Sequence, residues 1–228
     1  MKQADAPMKV GTDAMVLGAS IDVNNKTKGL EIGAGTGVIS LMLVQQNKSL
    51  TIQTLEIDEL ASKEAAFNFS ESSWSNQLKS ECIDFLDFQS DEKYDLIFSN
   101  PPYFISALLN KDERMANAKH EVSLPIQPFF NKVQSLLSPL GTFWLIIPKS
   151  DENRWITEAN AIGLFVNTIK DVSGKPNTKP NRVILSFNQN KTNTIEQSFL
   201  TIRKEDGRYS EDYIELTKDF HWKDLSKG

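Results

Sequence analysis

Histidine and cysteine are nearly absent from this chain of 228 residues, which holds two histidines, His120 and His221, and one cysteine, Cys82. A single thiol excludes an intrachain disulfide and a Cys-rich zinc site. Two histidines are too few for a histidine-built metal centre or a persuasive catalytic triad, so no metal is expected. No apolar run approaches the roughly 18 residues needed to span a bilayer, and Met1 to Val10 lacks the apolar core of a signal peptide. These absences point to a soluble, cytoplasmic protein with no membrane partner. An excess of positive charge is missing too: the net charge is −5.

The distribution of that charge is uneven. Residues 1–100 hold eight Lys/Arg against fifteen Asp/Glu, whereas residues 170–208 hold eight against four. A local basic surface can bind phosphates while the whole chain stays acidic. The length suits one α/β domain over residues 1–228, and no repeat, low-complexity tract or linker divides it. No feature fixes the oligomeric state, and a monomer is the favoured expectation.

Hydrophobic patterning alternates strand and helix. Strands are expected at Leu30–Ile32, Thr51–Glu56, Leu78–Ile83, Tyr94–Ser99, Gly141–Ile147, Phe165–Asp171 and Arg182–Phe187, with an edge strand at Phe199–Arg203. Helices are expected at Ala14–Ala19, capped by Thr12 or Asp13, and at Val38–Gln46, Leu60–Phe69, Ser123–Leu137, Asp151–Ile162 and Ser210–Phe220. The polar stretch between Phe104 and Glu121 predicts a loop over a pocket. Alternation of this kind makes a doubly wound α/β sheet, whose ligands sit at the carboxyl ends of the strands.

Those ends carry the chemistry. Glu31-Ile32-Gly33-Ala34-Gly35-Thr36-Gly37 leaves a strand and enters a helix, the setting in which a glycine run lets backbone approach a ligand closely. The spacing differs from that of dinucleotide folds, and Glu31 would repel a pyrophosphate but attract an amino group. A nucleoside-bearing cofactor without a pyrophosphate fits. Glu56 ends the second strand, where a carboxylate commonly takes a ribose diol; Asp58 is its rival. Asp84 ends the third strand, placed to accept from an adenine amine with Phe85 against the ring.

Asn100-Pro101-Pro102-Tyr103 follows the apolar run Tyr94–Ser99. Two prolines end the ladder and bias Asn100 away from helical dihedrals. The Asn100 side-chain oxygen and the Pro101 carbonyl can then accept from one planar NH₂ group while the Tyr103 ring lies on its flat face. That describes a pocket for an amide or an exocyclic base amine.

Together these features resemble a class I S-adenosylmethionine-dependent methyltransferase of the amino-methylating type. Met8-Lys9-Val10-Gly11-Thr12-Asp13 leading to Leu17-Gly18-Ala19, then Leu30–Gly37, Ser99–Tyr103 and the ending Leu200–Arg203, Tyr209–Glu211, Leu216-Thr217 is similar to the bacterial tRNA(Val) adenine N6-methyltransferases, which modify adenosine 37 beside the anticodon. Ahead of that opening the family usually carries a short aromatic and basic segment that residues 1–7 do not supply. The resemblance implies a Rossmann-like, mostly parallel seven-stranded sheet. It implies that Glu31, Gly33, Gly35 and Gly37 hold the methionine moiety of S-adenosylmethionine under Gly11, Thr12 and Asp13, that Glu56 takes the ribose, and that Asp84 and Phe85 take the adenine. Asn100, at the edge of the cofactor site, and Pro101 would accept from the target N6 amine. Tyr103 would stack on the base, with Pro102 and Phe104 beside it, and Lys175, Lys179 and Arg182 would meet the tRNA backbone. The four-residue motif also occurs in DNA, rRNA and protein-glutamine methyltransferases, so a glutamine methyltransferase and a non-catalytic SAM- or RNA-binding module stand as alternatives.

Overall fold

The computed structural model describes residues 1–4, 9–101, 126–221 and 224–225. Eight strands form one sheet: β1 (Lys28–Ile32), β2 (Thr51–Glu56), β3 (Leu78–Cys82), β4 (Tyr94–Ser99), β5 (Leu137–Pro148), β6 (Phe165–Ser173), β7 (Arg182–Asn188) and β8 (Glu196–Thr201). Their order is β3-β2-β1-β4-β5-β7-β6-β8. β1 to β5 run parallel, β7 is antiparallel to both β5 and β6, and β8 is parallel to β6. Strand order reverses between β1 and β4, so their carboxyl ends open a crevice of the kind that holds ligands in doubly wound sheets.

β4 and β5 carry the apolar runs Leu96–Phe98 and Phe143–Ile147 because both faces of the sheet are covered there. On one face Leu96 and Phe98 of β4 and Ile146 of β5 pack with Leu17, Leu43, Phe69 and Tyr213. These come from helices α1 (Thr12–Ser20), α2 (Val38–Gln46), α3 (Glu59–Ser70) and the later Glu211–Thr217 helix. On the other face Ile97, Phe143 and Leu145 meet Phe130 and Trp155, carried by α4 (Ile126–Leu136) and α5 (Glu152–Ala161). The Glu211–Thr217 helix, α6, is capped by Ser210, whose hydroxyl accepts from the Tyr213 N–H at 3.0 Å. Among the described residues no helix is long and apolar enough to cross a membrane.

Several boundaries differ from expectation. Among the described residues the sheet has eight strands, the seven implied by the resemblance plus the expected edge strand β8, which pairs with β6 from Glu196 onward, ahead of the expected Phe199. Its first four residues are exposed and largely polar, so backbone pairing rather than apolar patterning makes it a strand. β5 begins at Leu137 rather than Gly141, its register shifting opposite Tyr94 to Leu96. Neither Thr12 nor Asp13 caps α1. Gly11 occupies that position without a side-chain hydrogen bond, and the Asp13 carboxylate takes the stronger, charged partner Arg182 instead. The expected loop between Phe104 and Glu121 and the start of the Ser123 helix lie outside the described residues.

Candidate active site

The carboxyl end of β1 turns up into the glycine loop. Gly33 and Ala34 donate their N–H groups to Leu55 O at 2.8 and 3.3 Å, and Gly37 donates to Ala34 O at 2.8 Å. Gly33, Gly35 and Gly37 all have positive φ, a region that side-chain-bearing residues rarely enter. A Cβ at Gly33 or Gly35 would meet nothing within 4 Å, whereas one at Gly37 would lie 2.4 Å from the Phe69 ring. The first two glycines therefore border open space, and the third lets α2 pack on α3.

Two carboxylates flank the loop. Glu31, on β1, is 1 % exposed, and its Oε2 accepts from Ser40 Oγ at 2.5 Å. Burial pushes its carboxyl up to about 8, against the hydrogen bonds from Ser40 and with some help from the Glu56 charge. Glu56 ends β2 and braces the loop. Its Oε2 accepts from the Gly35 N–H at 2.8 Å and its Oε1 from the Asp58 N–H at 3.0 Å. Asp58, the rival for a ribose, is a helix cap: its Oδ1 accepts from the Ala61 N–H at 2.8 Å. Beyond β3, Asp84 Oδ1 accepts from the Leu86 N–H at 2.8 Å. The Phe85 ring turns inward, buried against Phe129 at 5.3 Å between centroids. Ile57, directly after Glu56, is 53 % exposed instead. Ser40, the third residue of α2, carries no sequence signal of its bond to Glu31.

At the end of β4 Ser99 Oγ donates to Ile32 O at 2.8 Å, tying the two central strand ends together. The next residue, Asn100, has a buried Oδ1 without a hydrogen-bond partner among the described residues. An unsatisfied buried acceptor costs about 1–3 kcal/mol unless a ligand completes it. Pro101 is half-buried; Pro102, Tyr103 and Phe104 lie outside the described residues. Open space over two glycines, a carboxylate at each of the first two strand ends and an acceptor awaiting a donor fit a cofactor with amino and ribose groups beside an amine-bearing substrate.

The same edge receives α1 and the β6–β7 hairpin. Gly11 and Thr12 are exposed at the start of α1. Arg182 Nε donates to Asp13 Oδ2 at 3.1 Å, with both side chains 25 % exposed. Most other cations of the basic stretch are also engaged. Lys170 Nζ donates to Ser20 Oγ at 3.0 Å, and its burial lowers its pKa. Arg203 sits 4.4 Å over the Tyr209 ring, Lys204 pairs with Glu211 and Arg208 with Asp206. Lys175 and Lys179, exposed on the hairpin, have no side-chain partner among the described residues.

A family model, the methyltransferase small domain, matches residues 7–158. The tRNA1(Val) (adenine(37)-N6)-methyltransferase of Bacteroides thetaiotaomicron is 37% identical over 215 residues, 94% of this chain and 90% of that one. The protein of the same name from Flavobacterium psychrophilum is 37% identical over 227 residues, 98% of this chain and 96% of that one. Among solved structures, a predicted O-methyltransferase of Agrobacterium tumefaciens superposes with a TM-score of 0.71 at 11% identity, over 91% of this chain and 96% of that one. A methyltransferase of Streptomyces caelestis gives a TM-score of 0.59 at 12% identity, over 78% of this chain and 96% of that one. The structural likenesses establish the Rossmann-like methyltransferase fold. The sequence matches along nearly the whole chain go further: the chain belongs to the tRNA1(Val) (adenine(37)-N6)-methyltransferase family, built on the methyltransferase small domain.

Proposed function

We propose that this chain methylates the exocyclic N6 of adenosine 37 in tRNA1(Val), in the cytoplasm, with S-adenosylmethionine as donor. The observation that carries the reading is the buried Asn100 Oδ1, without a hydrogen-bond partner among the described residues, at the carboxyl end of β4 beside the glycine loop. Glu31 and the Gly33–Gly37 loop would hold the methionine part, Glu56 the ribose, and Asp84 with Ile57 and the edge of Phe85 the adenine. Bound there, S-adenosylmethionine supplies a methyl group on a sulfonium, electrophilic enough that the amine needs no prior deprotonation.

The residues of the chain then do the positioning. Asn100 Oδ1 and the Pro101 carbonyl accept from the two N–H groups of the target amine, which turns its lone pair out of conjugation with the ring. Tyr103, with Pro102 and Phe104, supports the base after it leaves its stack, and unstacked anticodon-loop bases are the cheaper targets. Orientation and fixed dipoles supply the rate enhancement, and no side chain has to act as a general base.

The test is methylation of an unmodified tRNA1(Val) transcript with labelled donor, followed by digestion to nucleosides. Label is expected in N6-methyladenosine, and a transcript with guanosine at position 37 should take none. Asn100→Ala should lower turnover by about 100-fold or more while donor affinity stays near wild type. An active Asn100→Ala, or label that persists in the position-37 variant, contradicts the reading.

A further inference from the structure

Asp13 and Arg182 stand 169 residues apart in sequence and meet at 3.1 Å. Asp13 lies in the first turn of α1, directly after the exposed Gly11 and Thr12. Arg182 opens β7, in register with Pro148 at the end of β5 and Val172 near the end of β6. The far end of α1 is tied to the same strand pair, since Lys170 of β6 donates to Ser20. Between these two fastenings α1 presses on α2. A Cβ on Gly18 would lie 2.8 Å from the Met42 side chain, and Gln46 Nε2 donates to Gly18 O at 3.3 Å. α2 itself grows out of Gly37, the last residue of the glycine loop.

The hairpin base is equally fixed. Asn181 N–H donates to Val172 O and Lys149 N–H to Asn181 O, both at 3.1 Å. From this base rises the loop that carries Lys175 and Lys179. A continuous set of contacts therefore runs from the glycine loop through α2, α1 and the Asp13–Arg182 pair to the loop that carries Lys175 and Lys179.

We infer that Arg182 is a positioning residue: its pair with Asp13 holds the start of α1 against the β6–β7 hairpin and thereby couples cofactor binding to tRNA docking. This rests on the proposed function and departs from a direct contact between Arg182 and RNA phosphate. Its guanidinium is already directed at a half-buried carboxylate, and removing one member of such a pair strands the other charge. Coupling of this kind is reciprocal, so each ligand must raise the other's affinity by the same factor.

Calorimetric binding of S-adenosylhomocysteine, which fills the donor site but has no methyl group to transfer, with and without unmodified tRNA1(Val), tests the inference in the intact protein. In wild type, tRNA should tighten cofactor binding by about fivefold or more, the lower end for coupled sites. Arg182→Gln should weaken cofactor binding by a similar factor and abolish the tightening, while the salt dependence of tRNA affinity keeps its slope. Arg182→Lys should recover part of both effects. Asp13→Asn should match Arg182→Gln, and the double variant should be no worse than either single one. Asp13→Asn also reports the same quantities should Arg182→Gln fold poorly. A variant with normal cofactor affinity but a shallower salt slope makes Arg182 a phosphate contact and overturns the inference. Unchanged cofactor affinity and coupling in both single variants overturns it too. A wild-type protein that binds no S-adenosylmethionine overturns the proposed function, and this inference with it.

Discussion

Glu31 shows how one buried carboxyl can carry both a cost and a task. It is shut off from water with the Ser40 hydroxyl as its side-chain partner among the described residues, and burial raises its pKa from 4.5 to about 8. A folded-state value above the unfolded one means that the native protein binds the extra proton between those limits. The contribution of Glu31 to stability is therefore complete below about pH 4.5 and is lost as pH rises toward 8. Glu31→Gln, which cannot ionise, should flatten that decline, read as urea midpoints compared at pH 6 and pH 9. The task, under the proposed function, is recognition of a cationic amine, for which the carboxyl must ionise. Cofactor binding at pH 7 should thus release roughly one proton, measured by calorimetry in buffers of different ionisation heat. The same titration on Glu31→Gln should show no release. A wild-type value near zero would mean that Glu31 stays neutral under the ligand and does not face its amino group.

Secondary elements bring such residues to one edge, and here sequence and structure agree unevenly. β1, β2 and β4 are legible because each is a short strand-forming run closed by glycine, by acidic residues or by Asn100 and Pro101, which puts Glu31, Glu56 and Asn100 at or next to the strand ends. β8 was mis-set because Glu196, Gln197 and Ser198 have no buried face to leave a pattern. Sequence favours Glu56 over Asp58 only by its place at the strand end, since the two stand at alternate positions. The structure separates them: Asp58 caps α3, and Glu56 braces the glycine loop. Asp58→Ala should cost about 1 kcal/mol in denaturant unfolding, the usual loss for such a cap, and leave donor affinity unchanged. Glu56→Gln should weaken donor binding at least tenfold with a smaller effect on unfolding. If the two variants exchange these phenotypes, the ribose assignment belongs to Asp58.

Across the whole molecule, charge counting overstated the RNA surface. Most cations in residues 170–208 already have partners within the protein, some of them at its surface. Arg182 holds Asp13, Lys170 holds Ser20, Arg203 stacks on Tyr209, Lys204 pairs with Glu211 and Arg208 with Asp206. No sequence window reveals the first two of these pairings, because they join α1 to strands far along the chain. Lys191 follows β7, which ends at the opposite edge of the sheet from Asn100. That leaves Lys175 and Lys179 on the carboxyl edge, enough for two phosphate contacts on a chain whose first hundred residues repel RNA. Each such contact contributes about 0.7–0.9 to the slope of log affinity against log salt. Lys175→Gln with Lys179→Gln should therefore lower the slope by about 1.5 and raise the KM for tRNA without altering donor affinity. Arg203→Gln should lower thermal stability through loss of the Tyr209 contact and leave the slope where it was. A double lysine variant with an unchanged slope would move the tRNA path off this hairpin, and a shallower slope in Arg203→Gln would move it toward the end of the chain.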